Sequence, residues 1–222
     1  MAQFNLLSWS DGIPLCDDLW LGMQARNIAI VDFGIIRDME DSALAAYMEH
    51  ERTPTDILLP LSALSQMWIF SLYEFLRTWR QRADELIEIA TNYATQAEAD
   101  RAAFLKSAVK KAEEKEKFIL IAPRFYSEHA KQISDPKFVE SLKGYYAATE
   151  GLFRSVEALR VTLAKHEVPK TRGLIAEAPG YGRMSYADGS MYWFITLKDN
   201  SQIKVDRREV SDEFFGIAEA PI

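Results

Sequence analysis

Cysteine is close to absent: among 222 residues Cys16 stands alone. An intramolecular disulfide and a cysteine-rich metal site are therefore excluded, and a reducing, cytoplasmic compartment is expected. Asp17 and Asp18 follow directly and disfavour a thiolate, so Cys16 is not read as a nucleophile. Histidine is nearly as scarce, with His50, His129 and His166 making up the whole set of 3. No histidine and glutamate share the helical spacing of a metal pair, so neither metal nor cofactor is expected. Phosphate loops are missing as well: there is no Gly-x-Gly-x-x-Gly and no Lys-Ser/Thr after a glycine-rich turn, which leaves Tyr181–Arg183 as an ordinary loop. The N-terminal stretch has neither a basic start nor a long apolar run, so no signal peptide is expected. Net positive charge is lacking too. With 26 basic and 33 acidic residues the formal charge is −7, which disfavours broad, non-specific binding to nucleic acid.

What is there is the composition of a globular protein, 48% hydrophobic and 27% charged, on a chain long enough to bury a core without covalent staples. The pattern predicts a mainly α protein, a bundle of four to five helices over residues 1–169, with a small C-terminal antiparallel three-strand β-meander over 170–222 packed on it. Asp17 and Asp18 supply a cap and early acids for a helix running to about Glu51. Thr53-Pro54-Thr55-Asp56 opens a second, reaching about Ala97. Residues 98–117, rich in Ala, Lys and Glu, read as a helix with a solvated face that touches the core through Phe104, Leu105 and Val109. A short helix follows from Arg124 to Ile133. Asp135 as cap and Pro136 at the first position start a helix carrying an apolar stripe as far as about Glu167. The acidic groups Asp38, Glu40 and Asp41 read as a solvated face. Asp188-Gly189 and Asp199-Asn200 mark two-residue hairpin turns between strands at roughly 182–187, 190–198 and 201–206. That register sets Met184 opposite Trp193 and Phe194 opposite Val205. The central strand alternates Met191, Trp193, Ile195 and Leu197 against Tyr192 and Phe194, so one face packs on helices and the other is a candidate contact surface.

Ile57–Leu76 is long and apolar enough to raise the question of a membrane span. Its stripe of Leu61, Trp68, Leu72, Phe75 and Trp79 continues to Leu86, past Arg77, Arg80 and Arg82, as a bundle helix requires and a bilayer does not. A core helix with no membrane role is expected, its arginine stems lying on apolar surface and their heads in water.

Two histidines follow an arginine at short range. Arg124 and His129 have four residues between them, and Arg160 and His166 have five. On a helix such pairs lie about 140° and 120° apart and flank a groove. Histidine can move a proton at a ribose hydroxyl while arginine stabilises phosphate charge. This spacing resembles the R-x4–6-H motif of the HEPN superfamily, helical-bundle proteins that include many dimeric RNases of toxin and defence systems. The aromatic stretch Ser71–Arg80 is broadly similar to a helix of that bundle. The resemblance implies metal-independent RNA cleavage at a dimer interface, with Arg124 and His129, or alternatively Arg160 and His166, as catalytic residues. Of the two, Arg124 and His129 are preferred, because they sit near a helix start after Pro123 with Tyr126 and Glu128 close by. The family's polar residue after the arginine is replaced here by Phe125 and Val161.

The expected function is a non-catalytic interaction protein, a homodimer or the partner of another protein. An HEPN-like RNase, with RNA as its partner, is the alternative. A third reading is a small-ligand binder with an aromatic pocket lined by Trp68, Tyr73 and Trp79.

Overall fold

The computed structural model describes residues 5–116, 125–164, 182–196 and 201–219. Arg124, His166, Tyr181 and the turn at Asp199-Asn200 lie outside the described residues. The fold is mainly α with a three-stranded antiparallel meander near the C-terminus. In chain order the elements are α1 (Leu6–Asp11), α2 (Leu19–Val31), a π-helical stretch (Asp32–Ile36), α3 (Arg37–His50), α4 (Thr55–Thr95), α5 (Glu98–Glu116), α6 (Phe125–Gln132), α7 (Pro136–Ala148) and α8 (Glu150–Ala164). The strands β1 (Arg183–Met184), β2 (Met191–Thr196) and β3 (Gln202–Asp206) lead into α9 (Arg207–Glu219).

Local chemistry sets several of these boundaries. Asp18 caps α2, its Oδ1 accepting from the backbone N–H of Trp20 at 2.8 Å and of Leu21 at 3.1 Å. Asp135 caps α7 by accepting from Lys137 N–H at 2.9 Å, with Pro136 at the first position. The long apolar stripe of α4 is buried throughout, from Leu61 and Ser65 through Trp68, Leu72, Phe75 and Trp79 to Leu86.

The chain forms two compact units. One comprises Met1–Ala25, Phe75–Thr149 and Ile217–Ile222; the other comprises Arg26–Glu74 and Glu150–Gly216. In the first unit Trp79 is anchored by its indole N–H, which donates to Pro14 O at 2.6 Å, and its ring meets Tyr145 edge-on at 4.7 Å. Arg80 departs from the expectation of wet arginine heads. Its guanidinium is buried, donates to Tyr146 O at 2.9 Å and Thr149 Oγ1 at 3.0 Å, and lies over the Tyr146 ring at 3.7 Å. Those bonds fall where the expected single helix from Pro136 to Glu167 is interrupted after Ala148, at Thr149. A cation on another helix thus satisfies the carbonyl and hydroxyl that the interruption leaves over.

In the second unit Trp68 donates to Ile28 O at 3.0 Å. Glu40 is not solvated as expected but fully buried. Arg207, itself 0% exposed, grips it through Nε at 2.5 Å and Nη2 at 2.7 Å, and also donates to buried Asp32. Arg208 Nε donates to Glu40 at 2.7 Å, while Arg37 Nε and Ser211 Oγ each donate to Asp32 at 2.8 Å. Asp32 opens the π-helical stretch and Glu40 lies on α3, so this network fastens the start of α9 to the π-helical stretch and α3.

The meander differs from expectation in register. Met184 pairs with Met191 rather than Trp193, and Phe194 pairs with Lys204 rather than Val205. The first loop is longer than two residues: Ser185 N–H donates to Ser190 O at 2.7 Å, and Gly189 N–H closes the turn on Ser185 O at 2.9 Å. Gly189 has φ +75°, and a Cβ there would stand 2.0 Å from Glu40 O, so the turn rests directly on the α3 backbone. At the second connection Thr196 pairs with Gln202, leaving residues 197–201 between them, an odd number where a turn centred on 199–200 needs an even one. The alternation along β2 holds: Met191, Trp193 and Ile195 are buried, and Phe194 is exposed.

Candidate functional site

In the first unit a polar seam collects side chains from α4, α5 and α6 and from the Asp17-Asp18 segment before α2. His129 on α6 is 3% exposed, and its Nε2 lies 2.8 Å from Asp17 Oδ1. Its ring stacks on Phe138 at 6.2 Å. The hydrogen bond from His129 is the main reason the Asp17 carboxyl is held below its usual range, outweighing partial burial. Next along the seam, Arg82 donates to Asp18 Oδ2 at 2.7 Å. Beyond it, Tyr126 Oη donates to Glu85 Oε2, and Lys115 Nζ donates to the same oxygen at 2.9 Å. Burial, then Glu85, pushes the Tyr126 phenol well above its ordinary value, so the hydroxyl stays a donor. Burial alone would raise Glu85. The bonds from Tyr126 and Lys115 outweigh it and leave the carboxyl below its usual range. Glu116 orients the start of α6 by accepting from Tyr126 N–H at 2.6 Å and Ser127 N–H at 3.1 Å.

The seam ends at a cleft of about 490 Å³ between α4 and α5, in the range of small-molecule sites. Glu85, Glu88, Ile89 and Asn92 form its α4 side, and Phe104, Ala108, Lys111, Ala112 and Lys115 its α5 side, with Tyr126 at one end. The buried positions of α5 are Ala108 and Ala112. Phe104, Leu105 and Val109, the expected core residues, are only half-buried. Two alanines one turn apart leave the gap, and sequence patterning weighted toward large apolar residues passes over them.

The second unit presents a different surface. α4 is the one helix among the described residues long and apolar enough to cross a membrane by length and composition, and only 28% of its apolar window is buried. The outward residues include Leu59 at 72% exposure and Met67 at 63%. Ala63 and Ser71 are exposed on the same side, at i,i+4 steps from them. Ser71 Oγ is folded back, donating to Met67 O at 2.9 Å. From Ile57 to Tyr73 the helix carries no charged residue.

The other expected site residues fall as follows. Of the two Arg/His pairs, His129 and Arg160 are described, while Arg124 and His166 lie outside the described residues. Arg160 is half-buried, its guanidinium 5.0 Å from the centre of the Tyr73 ring. Trp68, Tyr73 and Trp79 are all buried. Trp68 packs beneath the Arg207 guanidinium at 5.4 Å, Tyr73 stacks on Phe153 at 5.8 Å, and Trp79 is held by Pro14 and Tyr145. Among the described residues no group of three or more His, Cys, Asp or Glu side chains is arranged to hold a metal ion. Compared with family models, curated proteins and solved structures, the chain has no match.

Proposed function

We propose that this protein is a non-catalytic interaction protein that self-associates through the uncharged outer face of α4. The observation that carries the reading is the row Leu59, Ala63, Met67 and Ser71, exposed on a stretch with no charge. A bare apolar helix face in water calls for a cover. The row is also self-complementary. In an antiparallel pairing about a two-fold axis, Leu59 of one copy meets Ser71 of the other and Met67 meets Ala63, so each large side chain finds a small one. A second copy is therefore the favoured occupant over a lipid surface, which has no use for alternating sizes.

Light scattering on size-fractionated protein tests this. Twice the chain mass is expected for the wild type. Ala63→Glu, which sets a carboxylate at the centre of the pairing, is expected to give single chains with unchanged unfolding. A wild type that stays single at tens of micromolar overturns the reading. Flotation of single chains with neutral lipid vesicles would reassign the face to a membrane. The metal-independent RNase reading gains no support from His129, which is buried against Asp17 rather than open to a phosphate.

A further inference from the structure

We infer that the cleft between α4 and α5 binds a small zwitterion with an apolar body, of the class of short apolar peptides. The site does not rest on the self-association reading. Opposed charged side chains of α4 and α5 stand as rungs along the cleft. At one end the rung is closed, with Lys115 Nζ 2.9 Å from Glu85 Oε2 and Tyr126 donating to the same oxygen. One turn along, Glu88 and Lys111 stand on opposite walls of the same cleft. Neither has a hydrogen-bond or ion-pair partner among the described residues. This second rung is open: an anion and a cation face one space and leave it unfilled. Between them the floor is apolar, set by buried Ala108 and Ala112 with Ile89 beside them.

A ligand that completes the rung must bring an ammonium to Glu88 and a carboxylate to Lys111, and an apolar body for the floor. A simple anion would satisfy Lys111 and be repelled by Glu88. A simple cation would meet the reverse. A hydrocarbon would fill the floor and leave both charges unmatched. The volume of about 490 Å³ accommodates a dipeptide.

The test is a titration of the isotopically labelled full chain, followed by backbone amide shifts, with phenylalanyl-leucine as probe. Its N-acetyl form lacks the ammonium, and its C-terminal amide lacks the carboxylate. The dipeptide is expected to move amides within 85–92 and 104–115 at a Kd of about 1 mM or tighter. Both capped forms are expected to bind at least about tenfold more weakly, one charge-assisted bond being lost in each. Lys111→Gln, at an exposed position, is expected to weaken the free dipeptide to the level of its amide. Ala108→Leu is expected to fill the cleft and abolish all shifts. Absence of shifts with the wild type, equal affinity for the capped forms, or shifts unaffected by Lys111→Gln would each overturn the assignment.

Discussion

Arg207 is the most deeply buried arginine among the described residues. It is completely buried and supplies donors to two buried carboxylates, Asp32 and Glu40. Removing it leaves those carboxylates partly uncompensated in a low-dielectric interior, although Arg37 and Arg208 still reach them. Arg207→Ala is therefore expected to destabilise the protein by about 3–5 kcal/mol in urea unfolding. A loss no larger than that of an exposed arginine would show that the cluster is not a clamp. At Asp17 the structure implies a pH dependence. The Asp17 carboxyl is held below its usual value by its bond to His129. A depressed acid contributes stability that is fully present above its unfolded-state pKa of about 4 and is lost as pH falls through the lower folded value. The difference in unfolding free energy between wild type and Asp17→Asn is expected to be open at pH 5 and to close below that range. A difference that widens on acidification would contradict the assignment. None of these partners is readable from the sequence, since Glu40 and Arg207 lie far apart in the chain. The local acidic run Asp38, Glu40, Asp41 looks like any solvated face until α9 is folded against it.

Among the elements, starts were more legible than interruptions. Caps at Asp18 and Asp135 are local chemistry, and they stand where side chains near the backbone predict them. The break at Thr149 is not local. The apolar stripe runs straight through it, and what satisfies its leftover groups is Arg80, donated by α4. Likewise the hairpin pattern of residues 170–222 predicts no helix after the last strand, yet Asp206 accepting from Arg208 N–H at 3.0 Å and the buried Val210 and Phe214 four residues apart mark α9. The meander's existence and alternation follow from composition, but its register does not, because Asp188-Gly189 closes a four-residue turn instead of a two-residue one. That turn offers its own test. Gly189 combines a positive φ with backbone contact on α3. Gly189→Ala is expected to cost more than about 1 kcal/mol, with β1 and β2 losing amide protection first. A neutral effect would mean the turn does not bear on Glu40.

For the whole molecule, the main question is what meets the outer face of α4. The inward stripe of this helix was visible as periodicity, and the structure buries it from Leu61 to Leu86. The outward row was hidden by the same apolar run, since sequence alone does not say which side of an uncharged helix is left uncovered. In the proposed pairing of the Leu59, Ala63, Met67 and Ser71 rows, residue 59 of one copy would lie against residue 71 of the other. Cysteines placed at those two positions test it most directly, with Cys16 buried and out of the way. After mild oxidation, non-reducing electrophoresis of Leu59→Cys/Ser71→Cys is expected to show a covalent dimer, while either substitution alone leaves most of the chain single. Single chains from the double variant, or equal cross-linking from each single variant, would contradict the antiparallel pairing.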